Sequence, residues 1–338
     1  MVLIFSIEND LSTSSVIKWL QYYQQKVIVI SSDDNIYKFV KANSESLLFK
    51  NTLTGTQYNL LEFDACWWRR TGLSMKNFTK NELNKRLVVD GDDISDIVNG
   101  SKSILNNEIN DLRYYIFSRI YKNCKIKIGN PNFYALNRLF TMEIASQKGF
   151  VVPDFEIISN TKQISDSDVI KDKFVSKAIS NGIYNNIGQK RYYSYTELHR
   201  KDEYYDSSLN IFPSLITSLI NKKYEIRTFY LDGHFFSMAI FSQTNSQTKV
   251  DFRKYSTTKP NRTEPYQLPA EIELKLKAVF DEFQLNCGSA DLIVDDNNNF
   301  VFLEINPVGQ YYMTSEPCNY HLDKIIAKYL IYGNVCKE

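Results

Sequence analysis

The N-terminal part of the chain alternates between apolar runs and an amphipathic stretch. Residues 2–7 and 26–31 are almost continuously apolar, which is typical of strands buried on both faces. Between them, residues 14–24 place Val16 and Leu20 on one face at helical spacing. A strand, a helix and a strand in this order predict an α/β lobe with a parallel sheet.

The same patterns continue along the chain. They predict helices over residues 96–120, 137–148, 270–285 and 321–332, and strands over 64–70, 154–159, 172–179, 211–219, 225–231, 234–242 and, as a pair, 289–306. The sequence Gly-Asn-Pro at 129–131 interrupts these patterns and marks a boundary. We therefore predict a boundary between two lobes at this point.

Composition narrows the class of protein. The 338 residues are 43% hydrophobic and 14% aromatic, which excludes a disordered chain, and a net charge of +1 gives no indication of a nucleic-acid partner. No run approaches the roughly 20 apolar residues that span a bilayer. The opening run meets Glu8 and Asp10 at once and does not resemble a signal peptide. Five cysteines without Cys-x-x-Cys spacing indicate reduced thiols, so we predict a cytoplasmic protein without a membrane partner.

The segment SADLIVDDNNNFVFLEINP, residues 289–307, predicts a hairpin that carries chemistry. A turn at 296–299 places Asp295 opposite Phe300, Val294 opposite Val301, and Asp291 opposite Glu304. Since side chains alternate along a strand, one face is then apolar and the other polar. The predicted apolar face consists of Leu292, Val294, Val301, Leu303 and Ile305, and the polar face of Asp291, Glu304 and Asn306.

Two carboxylates and an amide oxygen on one face are ligands that Mg²⁺ prefers. The alternative is that these side chains only face water, and spacing alone leaves the two interpretations open. The hairpin resembles the metal-binding hairpin of the ATP-grasp superfamily, which has Asp on one strand and Glu-x-Asn on the next. This resemblance implies a mixed α/β ATP-grasp fold with an N-terminal α/β pre-ATP-grasp lobe (1–128), a central lobe (129–210) and a C-terminal lobe (211–338) with the metal site. It also implies ATP and Mg²⁺ as cofactors, with Asp291, Glu304 and Asn306 as the metal ligands.

Upstream segments resemble the other parts of the superfamily's nucleotide site. NRLFTMEIASQKGFVVPDFEI (137–157) resembles its helix–strand unit, with Arg138 where Lys is usual, and FVSKAIS (174–180) resembles the strand whose Lys reaches the phosphates. The resemblance thus nominates Arg138 and Lys177, although Lys177 taken alone is typical of a surface lysine. The loop from Asn181 through Gly188 would close over the phosphates.

PSLITSLINKKYEIRTFYLDG, residues 213–233, resembles the hinge between the lobes. The resemblance implies that the backbone of Thr217, Ser218 and Leu219 binds adenine and that Glu225 binds the ribose. Arg227 would face the transferred phosphate. The superfamily commonly has Gln-Glu where this chain has Thr217-Ser218, a change that only backbone contacts would survive.

A narrower resemblance is to the graspetide synthetases, and most closely to the grasp-with-spasm maturase branch. It depends on Trp67-Trp68-Arg69-Arg70, Asp251-Phe252-Arg253, Asn306-Pro307-x-Gly309-Gln310 and the N-terminal IENDLSTSSVIKWL. In the first of these segments, strand alternation would bury one aromatic side chain and direct one arginine to a peptide cleft. Arg253 would hold the acyl phosphate or the acceptor carboxylate, although spacing fits a surface arginine equally well.

The resemblance implies a ligase that phosphorylates Asp or Glu side chains of a ribosomally made precursor peptide, comprising a leader and a core. A Ser or Thr hydroxyl or a Lys amine then forms an ester or amide macrocycle, with release of ADP and phosphate. It also implies a homodimer. Two alternatives remain: an ATP-grasp ligase for amino acids or a protein's C-terminal glutamate, and a binding module without catalysis.

Overall fold

The structure is a computed structural model that describes residues 1–32, 36–70, 72–74, 94–133, 136–180, 184–187, 190–193, 196–243, 250–251, 254 and 260–335. The helices in this part of the chain are α1 (Leu11–Tyr22), α2 (Ile94–Asn123), α3 (Arg138–Gln147), α4 (Lys162–Asp166), α5 (Ala270–Glu282), α6 (Tyr312–Cys318) and α7 (Leu322–Tyr332). The strands are β1 (Val2–Ser6), β2 (Val27–Ser31), β3 (Tyr37–Ala42), β4 (Leu47–Asn51), β5 (Gln57–Asn59), β6 (Ala65–Trp68), β7 (Ile126–Ile128), β8 (Phe155–Asn160), β9 (Lys173–Lys177), β10 (Tyr184–Ile187), β11 (Lys190–Tyr193), β12 (Glu197–Arg200), β13 (Asn210–Ser218), β14 (Lys222–Leu231), β15 (His234–Phe241), β16 (Arg262–Tyr266), β17 (Cys287–Asp295) and β18 (Phe300–Asn306).

The N-terminal sheet has the order β2-β1-β6-β7, and all its strand pairs are parallel. Helices α1 and α7 cover one face, and α2 covers the other. Because both faces are buried, the strands are continuously apolar, as the sequence predicts. Trp67 and Trp68 are therefore both in the core, on opposite faces, so the prediction that only one of them is buried is wrong.

The central sheet is antiparallel, with the order β12-β9-β13-β8. One of its faces is buried by Ile158, Phe174 and Ile216, which pack with Ile164 of α4. Strand β13 lies between β9 and β8, so this sheet continues to Ser218. The division of the chain at residues 128 and 210 stays a prediction.

The C-terminal sheet is antiparallel and has the order β16-β15-β14-β17-β18. Helices α3 and α5 pack on one face, where Met142, Leu276, Leu292 and Phe302 belong to one buried cluster. Gly288 in β17 permits this packing, because a Cβ atom there would lie 2.6 Å from the ring of Phe280. The opposite face of the sheet carries the predicted site.

In the part of the chain that the structure describes, no helix is long and apolar enough to cross a membrane. The thiols of Cys66, Cys124, Cys287 and Cys318 are free and buried, and Cys336 lies outside the described residues.

Candidate functional site

The hairpin β17–β18 brings Asp291 and Glu304 directly opposite each other, as the sequence predicts. The predicted register nearer the turn is wrong by one residue, since Val294 lies opposite Phe300 and not opposite Val301. A bulge between these two regions restores the pairing, and Leu303 is its extra residue.

The bulge also changes the apolar face. Leu292, Val294 and Ile305 are in the core as predicted. Val301 instead lies opposite Ile293, on the face that carries Asp291. Phe302 belongs to the core cluster, whereas the sequence predicted that its neighbours Val301 and Leu303 would.

Asp291 and Glu304 are each paired with an arginine. The NH1 group of Arg227 lies 3.1 Å from both carboxylate oxygens of Asp291, its register partner across β14 and β17. Arg138 donates to Glu304 Oε2 from Nε at 3.1 Å and from NH2 at 2.5 Å. The structure therefore brings together four of the predicted site residues in two ion pairs.

Asn306 is the third predicted metal ligand and lies at the end of β18, opposite Ser289. Its Oδ1 accepts a hydrogen bond from Val308 N at 3.1 Å, which turns the chain after the strand. An amide oxygen has two lone pairs, so one remains for a cation. Two carboxylates and this oxygen on one face fit a hard divalent cation. Among the described residues, no cluster of three or more His, Cys, Asp or Glu side chains is placed to hold a metal ion.

Lys177 is the last residue of β9 and lies opposite Leu215 in β13. Thr217 lies opposite Val175, so both cross-strand pairs are on the same face of the central sheet. The carbonyl of Ala178, next to Lys177, accepts a hydrogen bond from Arg138 NH1. Arg138 thus connects the end of β9 to Glu304.

The predicted hinge lies at the end of β13. The N–H of Ser218 donates to the carbonyl of Asp154 at 2.9 Å, and Leu219 follows the strand. The Oγ1 atom of Thr217 and the Nε atom of Arg227 are buried without a hydrogen-bond partner in the protein. Buried polar atoms without partners are rare, and a ligand between the two sheets would supply partners for these.

Glu225 is 7% exposed and lies two residues before Arg227 on the same face of β14. It accepts hydrogen bonds from Lys222 Nζ and from Ser242 Oγ, the latter at 3.1 Å. Burial raises its pKa, although the neighbouring Lys222 charge acts in the opposite direction. Arg253 lies outside the described residues, and so do residues 181–183 and Gly188 of the predicted closing loop.

A small cavity of 190 Å³ adjoins the ion pair of Arg138 and Glu304. Its lining includes Arg70, Arg138, Glu304, Asn306 and Gln310. One arginine of the Trp-Trp-Arg-Arg segment, Arg70, thus lines a cavity, and its role in a peptide cleft stays a prediction. A wider cavity of 890 Å³ between α1 and α7 is lined by none of the predicted site residues.

The other arginine, Arg69, is buried and holds the loop after β18, a role that sequence reasoning missed. Its NH1 donates to the carbonyls of Val308 at 2.8 Å and Gly309 at 3.0 Å, and its Nε donates to Asp10 at 3.1 Å. Asp10 also caps α1 by accepting from the N–H of Ser12 at 3.0 Å. An acidic residue before an amphipathic run is a helix-start signal, so the cap was predictable from the sequence but the arginine was not.

No protein-family model matches the sequence, and no curated protein matches it either. Solved structures do match. The macrocyclase MdnC from Microcystis aeruginosa, bound with the precursor peptide MdnA, is 21% identical with a TM-score of 0.70, and the match covers 99% of this chain and 100% of that one. A RiPP-associated ATP-grasp ligase from Chryseobacterium gregarium, in complex with ADP and a leader and core peptide, is 18% identical with a TM-score of 0.74 over 98% and 97% of the chains.

The ATP-grasp ligase PsnB, complexed with the precursor peptide PsnA2 and AMPPNP, is 12% identical with a TM-score of 0.65 over 98% of this chain and 97% of that one. Identities at this level establish the architecture. The chain has the mixed α/β fold of ATP-grasp ligases, and the predicted fold class is confirmed over nearly its whole length.

Replacement of Arg69 by Met should destabilise the protein strongly. The change leaves the carboxylate of Asp10, which is 5% exposed, without its buried partner, and it removes one donor from each of the carbonyls of Val308 and Gly309. We expect the free energy of unfolding to fall by about 3–5 kcal/mol in urea titrations. Arg70→Met is the control, because Arg70 is 29% exposed and should cost less than about 1 kcal/mol. Equal losses in the two variants would contradict the assigned role of Arg69.

Acid should weaken the protein partly through Asp10. Burial alone would raise the pKa of Asp10, but the charges of Arg69 and Arg70 outweigh it and hold the pKa below its ordinary value of 3.8. The stabilisation by this carboxylate is therefore complete above that value and is lost as the pH falls through the lowered pKa. Urea titrations from about pH 6 to about pH 2 should show a smaller acid-induced loss in Asp10→Asn than in the natural protein. Parallel curves would show that Asp10 does not contribute.

Proposed function

We propose that this protein is an ATP-dependent ligase that forms macrocycles in a ribosomally made precursor peptide. It phosphorylates an Asp or Glu side chain of the peptide. A Ser or Thr hydroxyl, or a Lys amine, of the same peptide then attacks the acyl phosphate and forms an ester or an amide, with release of phosphate. The observation that carries the proposal is the pair Asp291 and Glu304, opposite each other and each held by an arginine, in a chain with the fold of ATP-grasp ligases.

Asp291, Glu304 and Asn306 are the residues that would hold Mg²⁺. When bound, this ion supplies positive charge to the nucleotide phosphates. Arg138 and Arg227 orient the two carboxylates, and both guanidinium groups can also bind phosphate oxygens. Lys177 adds a third positive charge from the central sheet.

Thr217, Ser218 and Leu219 would bind the adenine, and Glu225 the ribose. Their position at the junction of the central and C-terminal sheets supports this, because Lys177 and Thr217 share one face and Glu225 and Arg227 share another. Two of the four buried side-chain polar atoms that have no hydrogen-bond partner among the described residues, Thr217 Oγ1 and Arg227 Nε, support a ligand at the same junction.

Phosphoryl transfer requires positioning and charge neutralisation more than a protein nucleophile. The peptide's own carboxylate accepts the phosphoryl group, and its own hydroxyl or amine is the second nucleophile. Arg253 would hold the acyl phosphate or the acceptor carboxylate. Arg70 borders the same cavity as Glu304 and is well placed to attract an acidic peptide.

The structural neighbours support a peptide substrate over free amino acids. MdnC, PsnB and the Chryseobacterium gregarium ligase are all bound to precursor peptides, and two of them also hold ADP or AMPPNP. A cytoplasmic location, which the reduced thiols suggest, and a homodimer, which the resemblance in sequence implies, belong to the same proposal. Size-exclusion chromatography with light scattering tests the homodimer directly.

Asp291→Asn and Glu304→Gln should abolish macrocyclisation while the protein stays folded. Both changes remove a negative charge that a divalent cation requires but keep an oxygen that accepts from Arg227 or Arg138. We expect turnover to fall at least about a hundredfold. Asp296→Asn in the exposed turn of the same hairpin is the control and should keep full activity. Mass spectrometry of precursor peptide incubated with ATP gives the readout, since each ring removes one water. Normal cyclisation by the two site variants would refute the metal assignment.

The chemistry should proceed through a peptide acyl phosphate. ATP is then cleaved to ADP and phosphate, and hydroxylamine should intercept the mixed anhydride to leave a hydroxamate on an Asp or Glu of the peptide. Arg253→Ala should bind ATP nearly normally yet yield little cross-linked product or hydroxamate. Formation of AMP, or a preference for free amino acids over every precursor peptide, would show that the macrocyclase proposal is wrong.

A further inference from the structure

Glu225, the predicted ribose ligand, is held by only one of its two carboxylate oxygens. Lys222 Nζ and Ser242 Oγ both donate to Oε1, the latter at 3.1 Å. In the part of the chain that the structure describes, no hydrogen bond reaches Oε2, and this atom is not among the buried polar atoms without a partner. Oε2 is therefore the oxygen of this buried side chain that a ligand can contact.

The two donors to Oε1 are themselves held in place. The side chain of Lys222 is 5% exposed, and its ammonium group also donates to the backbone carbonyl of Val250 at 3.2 Å. Ser242 is fully buried. Lysine is almost never buried to this extent unless it is paired, and packed neighbours restrict a buried side chain. Oε1 is therefore bound by two donors that have little freedom to move.

A bulge in β14 makes the contact between Lys222 and Glu225 possible. Side chains three residues apart in a regular strand point to opposite faces of the sheet. The register between β14 and β17 shifts at this point, so that Lys223 is an extra residue and Lys222 turns to the face that carries Glu225. A buried ion pair adds little to stability compared with apolar residues of similar volume, so stability alone does not account for this arrangement.

The chemistry of Oε2 matches a sugar. An ionised carboxylate only accepts hydrogen bonds, and each of its oxygens has about two lone-pair positions. The vicinal hydroxyl groups of a ribose are donors, so a single oxygen can accept from both. Rotation of the carboxylate about its last bond would turn its oxygens away from the sugar, and two donors on Oε1 oppose that rotation.

We infer that Lys222 and Ser242 are positioning residues that fix the orientation of the Glu225 carboxylate and thereby give the site its preference for a nucleotide with ribose hydroxyls. Neither side chain is required to touch the nucleotide. The inference rests on the proposed function, in which Glu225 receives the ribose. It adds the residues that orient this ligand and the specificity that follows.

Nucleotide affinities test the inference. In calorimetry, the natural protein should bind ADP at least about tenfold more tightly than 2′,3′-dideoxyadenosine diphosphate, which cannot donate to the carboxylate. Lys222→Met should lower the affinity for ADP about tenfold and leave the affinity for the dideoxy nucleotide nearly unchanged. Ser242→Ala should reduce the same preference about threefold. A general loss of folded protein would affect both nucleotides equally.

A double-mutant cycle shows whether Lys222 acts through Glu225. Glu225→Gln should by itself lower the preference for ADP, because an amide attracts both the ammonium group and the sugar hydroxyls less strongly than a carboxylate does. Lys222→Met should add no further loss in the Glu225→Gln background, since the group that Lys222 orients is then already altered.

Two controls match the two substitutions. Lys223→Met removes the adjacent lysine, which is exposed and donates to Asn298 at 2.8 Å. Ser237→Ala removes a buried hydroxyl whose hydrogen bond to Thr228, at 2.7 Å, lies on the opposite face of the same sheet. Both controls should keep the natural protein's preference for ADP. Should Lys222→Met not fold, Lys222→Gln keeps a donor without the charge and is measured in the same way.

The inference is overturned if Lys222→Met, or Lys222→Gln in its place, keeps the nucleotide preference of the controls. It is also overturned if the losses of Lys222→Met and Glu225→Gln add, or if the natural protein does not prefer ADP to the dideoxy nucleotide. Failure of the proposed function has a different signature: the natural protein would bind ADP with this preference but would cyclise no precursor peptide. The affinity measurements need no peptide, so they test the inference in that case as well.

Discussion

The buried guanidinium of Arg69 joins two parts of the fold on which the candidate site depends. It extends from the end of the N-terminal sheet to the carbonyls of Val308 and Gly309, directly after the strand that carries Glu304 and Asn306. A buried cation is costly unless its charge and its donors are satisfied. Asp10 supplies the charge, and the same carboxylate caps α1. The first helix, the N-terminal sheet and the loop beside the predicted metal ligands are thus fixed by one network.

Two bulges give the C-terminal sheet its functional face. The extra residue Leu303 in β18 places Glu304 opposite Asp291, and the extra residue Lys223 in β14 places Lys222 on the same face as Glu225. A regular strand alternates strictly, so without these bulges charged side chains would be directed into the core between the sheet and helices α3 and α5. Each bulge changes the direction of a side chain while the ladder continues on both sides.

Three carboxylates at this site are paired with cations of the protein. Arg227 holds Asp291, Arg138 holds Glu304, and Lys222 holds Glu225, so each carboxylate has a cation within hydrogen-bond distance. Groups that are already oriented need no reorganisation when negative phosphates arrive, which is the main way in which proteins assist phosphoryl transfer. Arg138 also donates a hydrogen bond to the carbonyl of Ala178, beside Lys177 in the central sheet. It is therefore placed to respond to any movement between the two sheets.

The sequence by itself determined which segments form strands and helices, because the apolar period of each segment is a local property. It also predicted Asp291 opposite Glu304 from period-two alternation and a short turn, but the register nearer the turn differs, so this pairing depends on the bulge at Leu303. Only the tertiary structure decided that Leu303 is bulged and that Val301 lies on the same face of the sheet as Asp291, because a bulge depends on packing against helices that lie distant in the sequence. The burial of Arg69 was decided in the same way. A cation is buried only where other segments of the chain bring carboxylates and carbonyls to it. Such long-range contacts cannot be predicted from a local pattern in the sequence.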